Sequence, residues 1–308
     1  MKATKKYWFL TSWLVIILLT SCDKVDMPYP PVLSIDTTLY PGNWSDYTAT
    51  IAPTFSPLQS QAQHIILEEY TGHLCNNCPT AAAIAHTIHK NNPERVFIAS
   101  IHAGPGGKTS FQQANPNDDK FYTDHTNPDG IAYGQRFQNG FNFFGNPQGT
   151  VNRKTVDQKM FDFSGTWQTR VTNLLSATPK VRLQAVFNYF EESNGGYLHI
   201  HAQHIGAIST SLNTVVYVIQ DSLVDWQLMP NNSYNPDYVH YDKHLGSINQ
   251  LPWGDPTFNA TENKNETTLL YSYKLPATIS PDLLYFLIYV YDVESYEVLQ
   301  VIKQGVIN

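Results

Sequence analysis

Residues 63–104 hold two short apolar runs on either side of a Cys-x-x-Cys and a helix-like segment, and this arrangement limits the fold more than any other feature of the chain. The run "QHIILEEY" (63–70) is rich in β-formers and reads as a strand. Next comes "CPTAAAIAHTIHKNN", with Pro79 at an early helical position and alanines behind it, which reads as a helix. "RVFIASIHAG" (95–104) is a second strand, too uniformly apolar for one face of a surface hairpin. A strand, a helix and a strand joined at this spacing predict a parallel crossover unit.

The remaining chain extends that unit. Residues 105–146 are polar and rich in Gly, Asn and Asp, with a helix expected near 129–139. "PQGTVNRKTVDQ" (147–158) reads as a strand and turn leading into another strand, and "GTWQTRVTNLLSA" (165–177) places Trp167, Val171, Leu174 and Leu175 on one helical face. The order is that of a minimal thioredoxin-like domain, spanning 61–177 with an insertion at about 105–146. From residue 178 to 308 the texture changes to runs of β-branched and aromatic residues such as "NTVVYVIQD" and "LLYFLIYVYD", separated by turn signals. These predict an antiparallel β-sandwich of six or seven strands, with 222–262 as a long surface loop. The fold class expected is therefore α/β plus all-β.

The amino terminus sets the compartment. Lys2, Lys5 and Lys6 precede a mostly apolar stretch, Tyr7 to Leu19, and then "LTSC". This pattern is that of a secretory signal over residues 1–21, too short for the roughly 20 residues of a spanning helix. "LTSC" also resembles the bacterial lipobox, so Cys22 is the expected lipidation site and membrane anchor. Proline-, serine- and threonine-rich residues 22–60 read as a tether with one short strand at 46–52. Removing residues 1–21 takes three lysines and no acids, moving the formal charge from −7 to −10. An acidic chain without a basic run argues against nucleic acid as a partner.

With Cys22 acylated, Cys75 and Cys78 are the only cysteines left to pair, and an oxidising envelope favours their pairing. At a helix mouth, Cys75 faces unpaired N–H groups and the positive end of the helix dipole, both of which favour thiolate. Cys75 would then attack a substrate disulfide and Cys78 resolve the intermediate. An inert or vestigial disulfide stays open as an alternative, although so small a loop removes little entropy from the unfolded chain. Zinc held by Cys75, Cys78, His86 and His89 fails on distance. Cys75 lies 11 residues from His86, and Cys78 the same from His89, roughly 16 Å along a helix axis, which a tetrahedral site cannot span. No metal or cofactor is expected. His86 and His89 are read as exposed, opposite a buried face carrying Ile84 and Ile88.

The stretches "LEEYTGHLCNNCP", "SIHAG", "GNPQGTVNR", "VYVIQDSLVDWQ", "DYVHYDKHL" and "YDVESYEVLQ" together resemble the Omp-twenty-eight-related outer-membrane lipoproteins of Bacteroidetes over roughly residues 62–303. The resemblance implies a thioredoxin-like domain, a β-sandwich and a lipid anchor in the cell envelope, most specifically at the outer membrane. It matches Cys75 and Cys78 to the family's cysteine pair, and Pro147 and Arg153 to its "P-x-G-x-x-N-R" stretch. Pro147 then occupies the place of the cis-proline that orients substrate in thioredoxin folds. Leu74 stands where many members carry an aromatic residue, and Tyr241 and Asp242 interrupt a His-x-His-like run before Lys243 and His244. Two functions follow as expectations: thiol-disulfide exchange on exported proteins through Cys75, Cys78 and Pro147, or a non-enzymatic surface binding or adhesion protein with a structural disulfide.

Two other constellations read as ordinary surface. Asp118, Asp119, Asp124 and Asp129 lack the spacing of an EF-hand and are taken as a solvated loop. His199, His201 and His204 lie on or near one strand and are taken as an exposed strand face.

Overall fold

The computed structural model describes residues 34–307 apart from positions 208 and 263. The signal segment and Cys22 lie outside the described residues. Residues 34–307 belong to one compact unit. It begins with a 3-10 turn (Thr37–Leu39), a short helical turn α1 (Trp44–Asp46) and a π-helical turn (Tyr47–Ile51).

The expected crossover follows. Strand β1 (Ile65–Thr71), helix α2 (Cys78–Asn91) and strand β2 (Val96–His102) form a parallel unit, paired from Ile65↔Val96 to Thr71↔His102. Helix α3 (Pro128–Phe137) lies inside the polar insertion, and its N-cap Asn127 accepts from the Gly130 N–H. Strand β3 (Gln148–Val151) runs antiparallel to β1, and α4 (Trp167–Leu175) follows. Trp167 and Val171 of α4 pack with Ile65, Leu67, Ala85, Ile88 and Ile98 on one face of the sheet.

Eight strands complete the chain: β4 (Val181–Phe190), β5 (Gly195–His204), β6 (Leu212–Leu228), β7 (Tyr234–Ser247), β8 (Asp255–Phe258), β9 (Glu266–Lys274), β10 (Leu284–Asp292) and β11 (Val298–Gly305). The large sheet runs β11-β10-β6-β7-β2-β1-β3, with β8 paired to β6, and a smaller sheet runs β4-β5-β9. The chain is thus a mixed α/β protein made mostly of strands.

In place of a free-standing sandwich, five C-terminal strands therefore join the sheet of β1 and β2, through one parallel bridge, Ser100↔Lys243. The run "LYFLIYVYD" of β10 is apolar throughout because both its faces are covered. Tyr285, Leu287, Tyr289 and Tyr291 enter the main core, while Phe286 meets Phe187 and Tyr273 of the smaller sheet at 5.0 and 5.7 Å. Such a run announces a buried strand but not the sheet it enters.

Two further expectations change. Residues 222–247 form a long hairpin continuing β6 and β7, not a loop, and its polar, half-exposed sequence hid it. Residues 46–52 are helical turns, not a strand. Tyr47 stacks on Trp44 at 5.0 Å and packs on Tyr197 of β5. The 34–56 segment therefore covers β5. Phe55 of that segment lies 5.4 Å from the His201 ring, and His204, on the other face of β5, lies 6.1 Å from Phe258 of β8, so both are buried rather than exposed. His199 Nε2 bonds Tyr47 Oη at 2.5 Å, and His201 Nε2 bonds Glu266 at 2.5 Å.

The opposite face of β1 carries an ion pair at the centre of the fold. Arg153 gives two 2.7 Å hydrogen bonds to Glu68, and Tyr217 and Thr150 also donate to that carboxylate. The guanidinium lies 5.0–5.4 Å from the rings of Tyr133, Phe137 and Tyr289. Burial would raise the Glu68 carboxyl, but the Arg153 charge and these hydrogen bonds hold it below the ordinary value.

Candidate redox site at the mouth of helix α2

Strand β1 ends at Thr71, the short loop to α2 carries Cys75, and Cys78 opens the helix. The two cysteines form a disulfide with Cα atoms 5.4 Å apart. Backbone bonds wind the loop tightly: Cys75 N–H donates to Gly72 and Cys78 N–H to Cys75. Cys75 therefore sits just before the first turn of α2, where the orphan N–H groups lie. Pro147 immediately precedes β3, and its bond to Asn146 is cis. One side chain joins the two regions: Gln112 Nε2 donates to Thr71 O at 2.6 Å and to Asn146 Oδ1 at 3.3 Å.

The disulfide is covered. Cys75 is 1% and Cys78 2% exposed. The cover is the far end of the β6–β7 hairpin. Gln227 Nε2 donates to Cys75 O at 3.1 Å, Leu228 N–H donates to His73 O at 2.8 Å, and Asn76 bonds Asn232 at 3.2 Å.

Behind the disulfide, a cavity of about 460 Å³ opens between α2 and β7, lined by Cys78, Glu69 and His102 among others. Glu69 Oε1 accepts from Ser100 Oγ at 2.9 Å, and burial pushes the Glu69 carboxyl up to about 7. His102 and His240 of the lining gather with His73 and His125 behind them, successive ring centroids lying 5.0–5.6 Å apart. Lys243 Nζ lies 3.0 Å from His125 Nδ1, and Asp225 lies 3.3 Å from His125 Nε2. Burial holds all four imidazoles neutral, His240 down to about 4 and His125 to about 2. Burial also lowers the Lys243 ammonium.

The model of the family described as "Outer membrane protein Omp28" matches residues 134–308. The chain belongs to the Omp28 family. Membership assigns it to an outer-membrane family of the cell envelope. Among solved structures it is similar to HBP35 of Porphyromonas gingivalis, with a TM-score of 0.58 at 15% identity over 80% of this chain and 76% of that one, a likeness of fold. A domain of the outer membrane lipoprotein Omp28 from Porphyromonas gingivalis matches at 20% identity and a TM-score of 0.30, covering 42% of this chain and 88% of that domain. A protein of Agrobacterium tumefaciens matches at 12% identity and a TM-score of 0.49, covering 80% and 96%. No curated protein matches the sequence.

Other residues singled out in the sequence have local partners. His86 stacks on Tyr241 at 5.1 Å, and His89 Nδ1 bonds Val96 O at 2.6 Å. Asp119 pairs with Lys120 and Asp124 with Lys108, while Asp129 accepts from Ser247. Asp242 accepts from Tyr285 at 2.6 Å, and His244 lies inside the core against Tyr217. Arg153 belongs to the core ion pair. Glu69, the four clustered histidines and Gln227 did not stand out in the sequence. The one available signal was Glu69, an acid inside an apolar strand that enters the cysteine loop.

Proposed function

We propose that the protein is a lipid-anchored component of the cell envelope, held at Cys22, whose Cys75–Cys78 pair exchanges thiols and disulfides with exported proteins. In the reduced protein, the Cys75 thiolate attacks a substrate disulfide, forming a mixed disulfide and releasing one substrate thiolate. Cys78 gives its proton to the Glu69 carboxylate and attacks Cys75 Sγ. The second substrate thiolate leaves, and the Cys75–Cys78 disulfide is restored. Pro147, at the head of β3, is the expected guide for the substrate chain. The thioredoxin-like portion (61–177) carries the chemistry, and the strands after 178 supply the cover and the cavity wall.

The observation that carries this reading is Glu69. A buried carboxyl raised to about 7 shares a cavity with Cys78, and a proton acceptor of that strength suits a thiol that must ionise near neutrality. The test is the pH dependence of mixed-disulfide resolution. Wild type should show an inflection near pH 7 that Glu69→Gln removes, and an unshifted profile would sink the role of Glu69. The near-complete burial of Cys75 favours the second reading, a binding protein with a structural disulfide. Under exchange chemistry the β6–β7 hairpin must open.

A further inference from the structure

The cavity between α2 and β7 holds three polar groups without partners. Glu69 Oε2, both ring nitrogens of His102 and His240 Nε2 have no hydrogen-bond partner, and these residues are only 4%, 2% and 6% exposed. All three line the cavity. Buried polar atoms left unpaired are costly, and such a set in a concavity of ligand size marks a place where something else completes the bonding.

We infer that this cavity binds a small organic cation, a primary ammonium group on a short apolar body. An ammonium carries three N–H donors and no acceptor, and the site offers three acceptor residues: the Glu69 carboxylate and the lone pairs of two neutral imidazoles. Charge agrees. Asp242 joins Glu69 in the lining, which includes no lysine or arginine. The apolar body has its own walls in Ala82, Ile98 and Val239. An amine nitrogen beside an imidazole already occurs next to the site, where Lys243 Nζ lies 3.0 Å from His125 Nδ1, and Glu69 and Asp242 are the charges that offset it. The inference shares Glu69 with the redox reading but needs no electron transfer.

The test is calorimetric titration of the oxidised protein at pH 7.5 with n-butylamine, n-butanol, butyrate and Zn²⁺ alone. Butylamine should bind at least tenfold more tightly than butanol, and butyrate should not bind. Glu69→Gln should weaken butylamine at least tenfold. Ala82→Phe, which fills the cavity from the helix side, should abolish binding while the melting temperature stays near wild type. Equal binding of butanol and butylamine would reduce the site to an apolar hole and overturn the inference. So would Zn²⁺ binding with no response to butylamine, or silence from every probe. The titration reads no thiol chemistry, so a negative result leaves the redox reading standing on its own measurements.

Discussion

Removing the Gln227 side chain should make the disulfide react faster. Gln227 is 2% exposed, and its Nε2 donates to Cys75 O at 3.1 Å, to Leu228 O at 3.0 Å and to Gly72 O at 3.5 Å. Gln227→Ala leaves those carbonyls without this donor in a buried place, at a cost of about 1–3 kcal/mol for an unsatisfied group. The Leu228–His73 backbone bond remains, so only part of that cost falls on the closed state of the hairpin. A loss of about 1–2 kcal/mol in closing free energy raises the open population roughly 5- to 30-fold, since 1.4 kcal/mol is tenfold. If reduction proceeds from the open state, the rate with dithiothreitol should rise by the same factor. Quenched alkylation of Cys75 and Cys78 over time reads it directly. A rate within twofold of wild type, with the melting temperature lowered, would refute the hairpin as a gate.

Arg153→Met should cost about 3–5 kcal/mol in urea unfolding, because it strands the buried Glu68 carboxylate. Adding Glu68→Leu should recover much of the loss, and a single-variant cost below about 1 kcal/mol would contradict the ion-pair reading. Acid should destabilise the fold. The folded pKa values of His73, His102, His125 and His240 are depressed by burial, so their contribution is complete above the unfolded value near 6.5 and is lost as pH falls below it. Glu69 and Asp242 are raised and act in the opposite sense, but four histidines outweigh two acids. The unfolding free energy should fall from pH 7 to pH 5, by roughly 1.4 kcal/mol per pH unit for each net proton taken up on unfolding; a flat profile would mean the histidines stay hydrated.

The part of the fold set by local pattern was legible. An apolar strand, a Pro-started alanine-rich helix and a second apolar strand predict β1, α2 and β2, and Trp167 and Val171 predict the buried face of α4. Strand partners after residue 178 were not legible, because pairings such as β10 with β6 are fixed by contacts some seventy residues apart. The hairpin of β6 and β7 was lost for another reason: much of it stands clear of the core, so its sequence lacks apolar alternation. At the site, the cysteines and Pro147 were visible as motifs. The histidine cluster was not, since His73, His102, His125 and His240 come from separate segments and meet only after folding.

The midpoint potential of the Cys75–Cys78 pair, equilibrated against glutathione buffers and read by thiol alkylation, tests the central claim most directly. A working exchange pair requires a value between about −270 and −120 mV, the range of thiol oxidoreductases. A pair that stays oxidised below about −300 mV would be a structural disulfide, and the protein would then act through binding alone.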